Sequence, residues 1–373
     1  MSTRLLELFK YFFKLGFVAF GGPAAHVAMM EEDLVQNKKW LTEQEFLDYM
    51  GITNLIPGPN STEMTMHCGY HHGGWKGVFV AGMSFIFPAV LLTLLVAIFF
   101  ESVSEIAWVV PIINGIKAAV ISFIIAAILK LGKKAVKNSY LAIIGAIALA
   151  AGFFGINEIL VILSAGLVSM LIQVAIKNRV QLNSFILLPL FATSAIDYTH
   201  IKLFLVFLKV GLVLFGSGYV LFAYLDGELI ENLAWLSHDD LVEAIAVGQV
   251  TPGPVLSTAT FVGYKLGGIA GAILATLGIF LPSFFYVLLL NRFVHKMKDN
   301  LWLRYFLEAV NVAAVAVMVV VTFKMAQSII IDWRTALICV LSIAVYFSFK
   351  KLNTLWIILG GAVLGFLLTY VPL

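Results

Sequence analysis

The chain is 373 residues long, 61% hydrophobic and only 12% charged, where soluble domains run about 45–50% apolar and about 25% charged. That composition excludes a soluble globular protein. Its charges are also segregated, because residues 77–100, 266–290 and 352–373 carry none, and each run is long enough to cross hydrocarbon about 30 Å thick. With 24 Lys and Arg against 21 Asp and Glu, the net charge of +3 leaves no basic face for nucleic acid and no acidic tail.

In chain order the apolar segments fall at 5–30, 46–69, 77–100, 106–129, 140–156 and 159–176, then at 203–223, 241–263, 266–290, 305–323, 335–349 and 352–373. The first lacks a small-residue cleavage site and reads as a retained hydrophobic segment. No polar stretch between segments is long enough for an appended soluble catalytic domain. Cys68 and Cys339 make neither a disulfide framework nor a zinc pattern, and no cofactor is called for.

The second six segments repeat the first. At an offset of 195 residues Lys14, Gly16, Phe20 and Gly21 correspond to Lys209, Gly211, Phe215 and Gly216, Trp40-Leu41-Thr42 to Trp235-Leu236-Ser237, and Pro57-Gly58-Pro59 to Pro252-Gly253-Pro254. After a one-residue slip, 194 pairs Gly69-Tyr70 with Gly263-Tyr264, Gly73-Gly74 with Gly267-Gly268, Gly77 with Gly271 and Pro88 with Pro282. Many secondary transporters are duplicated in this way, with the substrate site near the bilayer midplane where the repeats meet.

The second segment of each half differs in kind. Pro-Gly-Pro at its centre removes amide donors and clashes with the preceding turn, so neither segment is one continuous helix. Broken backbone at membrane depth must be buried in protein or line a wet cavity. Loop charges then set topology by the positive-inside rule. Lys130, Lys133, Lys134 and Lys137, then Lys177 and Arg179, then Arg292, Lys296, Lys298 and Arg304, then Lys350 and Lys351 mark cytoplasmic loops; 101–111 and 155–158 carry no cation and read as external. These constraints are met when both Pro-Gly-Pro segments enter and leave on the same side, which leaves five full spans per half and makes the halves inverted. An external N-terminus must then tolerate Arg4 and Lys10.

The expected fold is therefore an all-α polytopic membrane protein. It has two inverted-topology repeats, about ten transmembrane helices and two broken re-entrant hairpins. The repeats occupy 1–180 and 201–373, joined by a cytoplasmic linker at 181–200, in a multi-pass protein of the cell membrane.

Phe20-Gly21-Gly22-Pro23 with Ala25-His26, Leu34-Val35, Trp40-Leu41 and Asn54-Leu55-Ile56-Pro57-Gly58-Pro59 resembles the N-terminal half of the chromate ion transporter (CHR) family. The second half resembles it more closely, through Phe215-Gly216-Ser217-Gly218-Tyr219, Ala246-Val247-Gly248-Gln249-Val250-Thr251-Pro252-Gly253-Pro254 and Ala275-Thr276-Leu277-Gly278-Ile279-Phe280-Leu281-Pro282-Ser283-Phe284. The resemblance implies a long-chain member with two homologous halves that exports chromate. The first half departs from the family pattern at Met64, Met66, His67 and Cys68 and at His71-His72.

Chromate is a tetrahedral oxyanion, and a site for it needs donors and positive potential. Free N–H groups at the start of a half-helix supply both, helped by about half a positive charge from the macrodipole. The expected binding residues are Pro57, Gly58, Pro59, Asn60 and Ser61 on one hairpin and Thr251, Pro252, Gly253, Pro254 and Ser257 on the other. Alternatively, Pro-Gly-Pro is only a tight turn. Gly21, Gly22, Gly216 and Gly218 bring backbone near the ligand or let helices pack. Lys14 and Lys209 attract the oxyanion, or else snorkel or neutralise a carboxylate. Lys117, alone in the fourth segment opposite Asn311 or Val312, is a further candidate for the pathway. Coupling candidates are His26, Asp48, Glu63 and Glu243; Asp48 and Glu243 match each other, as do Glu45 and Asp240.

Each charge crossing 100 mV is worth about 2.3 kcal/mol, so exporting a dianion from a negative interior gains about 4.6 kcal/mol. Efflux therefore needs no ATP, and the chain has no GxxxxGK[ST] motif. The leading reading is a secondary transporter exporting chromate by alternating access, driven by membrane potential with proton exchange as an optional addition. Sulfate or another oxyanion shares the geometry and stays open. A soft-metal site at Met64, Met66, His67, Cys68, His71 and His72 is a third reading. An embedded enzyme is disfavoured, because HExxH and GxSxG are absent. The partners are the oxyanion and the lipid bilayer, and a homodimer is compatible with the sequence.

Overall fold

A computed structural model describes residues 3–20, 22–104, 106–177, 199–290, 300–349, 352 and 354–371. Gly21, Arg179, most of the linker at 181–200, and the loop cations Arg292, Lys296, Lys298, Lys350 and Lys351 lie outside the described residues. Among those described, the chain is helical without strands. The first half holds α1 (Thr3–Val18), α2 (Pro23–Met30), α3 (Glu43–Thr53), α4 (Asn60–Val103), α5 (Val110–Ala135), α6 (Ser139–Phe153) and α7 (Glu158–Lys177). The second holds α8 (His200–Val213), α9 (Leu221–Leu225), α10 (His238–Val250), α11 (Thr258–Leu290), α12 (Leu301–Ile329), α13 (Trp333–Ser348) and α14 (Thr354–Leu368).

Asn60–Val103, Val110–Ala135, Val255–Leu290 and Leu301–Ile329 are long and apolar enough to cross a membrane; Ser139–Phe153, Glu158–Gln173, Trp333–Ser348 and Thr354–Leu368 are shorter apolar helices. Large apolar side chains such as Phe87, Leu95, Phe99, Ile147, Leu281, Phe285 and Leu367 lie exposed on the outside of the bundle. A polar solvent would not stabilise that surface, and hydrocarbon does. The chain is a multi-pass membrane protein.

The first segment of each half is not the single apolar run read from the sequence. Residues 5–30 break between α1 and α2, where Gly22 takes a φ of 77° and Pro23 opens the next helix. Residues 203–223 break after Val213, with Gly216 at a φ of 104°. Positive φ favours glycine over every other residue, and proline at the first helical position costs no hydrogen bond. Hydropathy averages over such a break. Past it, both halves form a π-helical turn at matched positions, Glu31–Asn37 and Asp226–Asn232.

Both Pro-Gly-Pro segments are hairpins. Around Gly58, Tyr49 on α3 stacks on His67 of α4 with ring centroids 5.2 Å apart, and Asn60 Nδ2 donates to Asn54 Oδ1 at 2.7 Å. Around Gly253, Glu243 on α10 pairs with Lys265 on α11 at 2.7 Å, and Gly248 packs on Thr258. The leading limbs begin at matched capping boxes, Thr42 with Glu45 and Ser237 with Asp240. With 11 and 13 residues, they reach only about 16–20 Å at 1.5 Å per residue. Each returning limb bends once, at Gly74 and at Gly268, before its long helix. At those bends the helix closes on itself so tightly that a Cβ on Gly77 would lie 1.9 Å from the Gly69 carbonyl oxygen, and one on Gly271 would lie 2.1 Å from that of Gly263.

The halves interleave. α5 of the first half packs on α13 and α14 of the second, while α12 of the second packs on α6 and α7 of the first. Backbone meets backbone where Gly115 lies against Gly361 and Gly365, and Gly166 packs under Val310 and Phe306. Small residues allow this approach between apolar helices.

Candidate functional site

Four breaks in the helices meet at the hairpin tips. The Gly58 amide donates to the Leu214 carbonyl at 2.7 Å, and the Gly253 amide donates to the Ala19 carbonyl at 2.9 Å. Ala19 and Leu214 stand at the same offset of 195 residues as the two glycines, so each tip docks on the end of the other half's first helix. Those carbonyls belong to helix ends, where intrahelical donors run out. His26, fully buried on α2, places Nε2 3.1 Å from the same Ala19 oxygen and sits edge-on to Phe85. Its ring thus helps fix the carbonyl on which hairpin two rests.

The tips differ in what lies beneath them. Gly58 (φ 139°) sits over the Glu63 carboxyl and Ser283 Oγ, whereas Gly253 (φ 93°) sits over Ala89 and the Gly16 carbonyl. Glu63 is completely buried, and among the described residues no cation pairs with it. Pro57, Gly58, Pro59 and Ser61 are buried, as are Thr251, Pro252, Gly253, Pro254 and Ser257. Pro59 caps α4, and its carbonyl takes the amides of Thr62 and Glu63. The amides of Asn60 and Ser61 precede the first intrahelical bond, at the positive end of the helix dipole. Thr251 accepts a hydrogen bond from Thr93 of α4 at 3.2 Å.

A cavity of about 640 Å³ opens beside hairpin one. Pro23, Asn54, Asn60, Gly216, Ser217 and Asn311 line it, together with Lys134 of α5 and Lys137 just past its end. Lys137 also pairs with Glu308 at 2.9 Å. Side-chain amides, a hydroxyl and two cations therefore share one chamber with the Glu308 carboxylate, which Lys137 neutralises, so the donors outnumber the acceptors as an oxyanion requires.

The expected site residues divide accordingly. The cavity gathers Asn60 and Gly216; Gly22 and Gly218 lie at the neighbouring breaks, Gly22 against Tyr219 and Gly218 against Leu256. The two matched lysines do not share an environment. Lys14 is exposed on α1, while Lys209 pairs with the fully buried Glu228 at 2.8 Å. Asp48 accepts from Gln44 at 2.9 Å, but its counterpart Glu243 is buried between Lys117 at 2.8 Å and Lys265 at 2.7 Å. The matched carboxylates thus hold other partners than Lys14 and Lys209. Asn54, Ser217 and Asn311 are not among the expected binding residues, because isolated amides and hydroxyls carry no spacing signature. Asp226 and Glu228 match the carboxylates Glu31 and Asp33 at the offset of 195 residues, the signal in the sequence that marks them.

The residues of the soft-metal reading do not converge. Met64 and Cys68 face one apolar cluster and Met66 another, His67 stacks on Tyr49, and His72 stacks on Trp40 while pairing with Glu7. Among the described residues the one grouping with ligand-like spacing is instead Asp226, Glu231 and His238, where Lys324 lies 2.8 Å from Glu231 and 4.0 Å from Asp226 as their cationic partner.

A family model described as Chromate transporter matches the chain twice, over residues 6–170 and 201–366. The chromate transport protein of Cupriavidus metallidurans is 30% identical over 98% of this chain and 93% of its own length. That of Pseudomonas aeruginosa is 26% identical over 97% of this chain and 92% of its own. An uncharacterized transporter of Methanocaldococcus jannaschii is 30% identical over 98% and 95%. No solved structure matches the chain.

Proposed function

The chain belongs to the chromate transporter family, and from that premise we propose that it is a secondary transporter exporting chromate by alternating access between two inverted halves. Ten spans surround two re-entrant hairpins whose tips form the oxyanion site. The observation that carries this reading is the reciprocal docking of Gly58 on Leu214 and Gly253 on Ala19 beside a donor-lined chamber. A two-fold exchange of this kind gives the molecule two equivalent ways to open, which alternating access requires.

The chamber lies toward Lys134 and Lys137, the cytoplasmic loop by the charge rule, so this is the inward-open state. Asn54, Asn60, Ser217 and Asn311 offer donors to the dianion, and the first amides of α4 add the helix dipole. Exposed Lys14 and the Glu228-bound Lys209 leave that task to the tips and to the lysines of the chamber. Of the coupling candidates, His26 is engaged with the Ala19 carbonyl, Asp48 accepts from Gln44, and Glu243 is tied to two lysines. Glu63, buried under the Gly58 tip, is the group placed to carry a proton.

Purified protein in liposomes should exchange radiolabelled chromate with internal chromate, faster when the potential favours exit. Excess sulfate should compete weakly. Asn311→Leu should lower exchange at least tenfold at unchanged melting temperature. Absence of chromate exchange by correctly inserted protein would overturn the proposal.

A further inference from the structure

The second hairpin is closed where the first is open. α3 packs mainly against α4 and the π turn, leaving the chamber between it and the ends of α5 and α12; α10 packs against α5, α12 and α14 as well as α4 and α11. Side-chain size follows the same asymmetry. Ala24 and Val27 line the chamber, and at their matched positions stand Tyr219 and Phe222. Tyr219 Oη reaches the Gly22 break, and its ring lies edge-on to Phe123 of α5 at 5.5 Å. The outer counterpart of the chamber is therefore filled.

One cation is held inside this closed interface. Lys117 on α5 is 5% exposed and meets Asp239 at 2.6 Å and Glu243 at 2.8 Å, both on α10. The offset of 194 residues places it opposite Asn311, which lines the open chamber and lies against Gly216. Lys265 pairs with Glu243 at 2.7 Å and contacts Asp240, so Glu243 keeps a cationic partner if Lys117 leaves it.

We propose that Lys117 is the substrate-binding cation of the outer half of the path, held by Asp239 and Glu243 while that half is closed and released to the oxyanion when α10 parts from α5. The inference rests on the oxyanion path proposed above. Lys117 and Glu243 are buried while Asp239 is half-exposed at the edge of the cluster; a buried lysine leaving its carboxylates needs another anion, and the dianion is the one that arrives at that step. No bond is made or broken; the ammonium exchanges carboxylate oxygens for oxyanion oxygens, and Lys265 remains with Glu243.

The test uses full-length protein with two readouts: chromate counterflow in liposomes, and equilibrium binding of radiolabelled chromate to the purified protein. Variants are Lys117→Gln and the neutral triple Lys117→Met, Asp239→Asn, Glu243→Gln, which leaves no carboxylate stranded. Counterflow should fall at least tenfold in both, while the half-maximal concentration for binding stays within twofold of the parent. Counterflow of the triple variant within twofold of the parent would overturn the proposal and make the cluster a structural clamp. Loss of chromate binding in the triple variant, with binding kept in the parent, would also overturn it, placing Lys117 on the inner half. No binding in the parent would instead overturn the path itself.

Discussion

The Gly253 amide donates to the Ala19 carbonyl across 2.9 Å, and its counterpart in the other half, Gly58, donates to the Leu214 carbonyl at 2.7 Å. Each hairpin is thus seated by the half to which it does not belong. Glycine is needed twice over at these tips. The backbone has φ of 139° and 93°, and a Cβ would fall 2.0 Å from Glu63 Oε1 or 2.6 Å from Ala89 Cβ. Gly58→Ala and Gly253→Ala should each cost about 1–3 kcal/mol from backbone strain alone, with the steric clash adding to it. Melting in detergent and chromate counterflow should fall together, whereas Gly360→Ala, at a glycine with open space around it, should change neither.

The two matched lysines make opposite predictions. Glu228 is fully buried and Lys209 is its cation at 2.8 Å. Removing one partner of a buried pair strands the other, at about 3–5 kcal/mol, while neutralising both is often nearly neutral. Lys209→Met should therefore lower stability by about that amount, and Lys209→Met with Glu228→Gln should recover most of it. Lys14→Met on the exposed face of α1 should stay within about 0.5 kcal/mol of the parent. Equal losses at Lys14 and Lys209 would contradict this assignment.

Much of the architecture was legible because glycine, proline and tryptophan repeat in register. Donor loss marks Pro57-Gly58-Pro59 and Pro252-Gly253-Pro254 as breaks, and the loop charges on either side make them hairpin tips. The break at Gly22 was less visible, since an apolar run on both sides outweighs one glycine and one proline in any hydropathy window. Pairing was least legible. Lys14 and Lys209 match in sequence, yet Glu228 reaches Lys209 through a π turn whose register no periodicity announces. The interleaving of α5 and α12 with the opposite half was also hidden, because a repeat read along the chain carries no information about which copy a helix packs on.

His238 should make stability depend on pH. Asp226 lies 3.0 Å from its Nε2, and this contact raises the imidazole above its ordinary value of 6.5, against desolvation; Glu231 adds to the rise and Lys324 opposes it. A raised value means the folded state holds the proton more tightly than the unfolded chain. The contribution is fully present below pH 6.5 and is lost as pH rises through the folded value. Melting temperature should therefore drop as pH rises above 6.5, and His238→Gln should flatten that drop. Parallel curves for parent and variant would show that His238 is not the titrating group.

Filling the open chamber should trap the transporter. Ala24 lines the cavity of about 640 Å³, and the matched position on the closed side already carries Tyr219. Ala24→Trp would place an aromatic ring where the oxyanion must pass, without touching the Gly58 or Gly253 docking bonds. Because Ala24 is exposed on α2, the substitution removes no buried contact, and stability should stay within about 0.5 kcal/mol. Chromate counterflow should fall at least tenfold, and Ala24→Ser should keep parental rates. A transporter that carries chromate at parental rate with tryptophan at this position would show that the ion takes another route through the bundle.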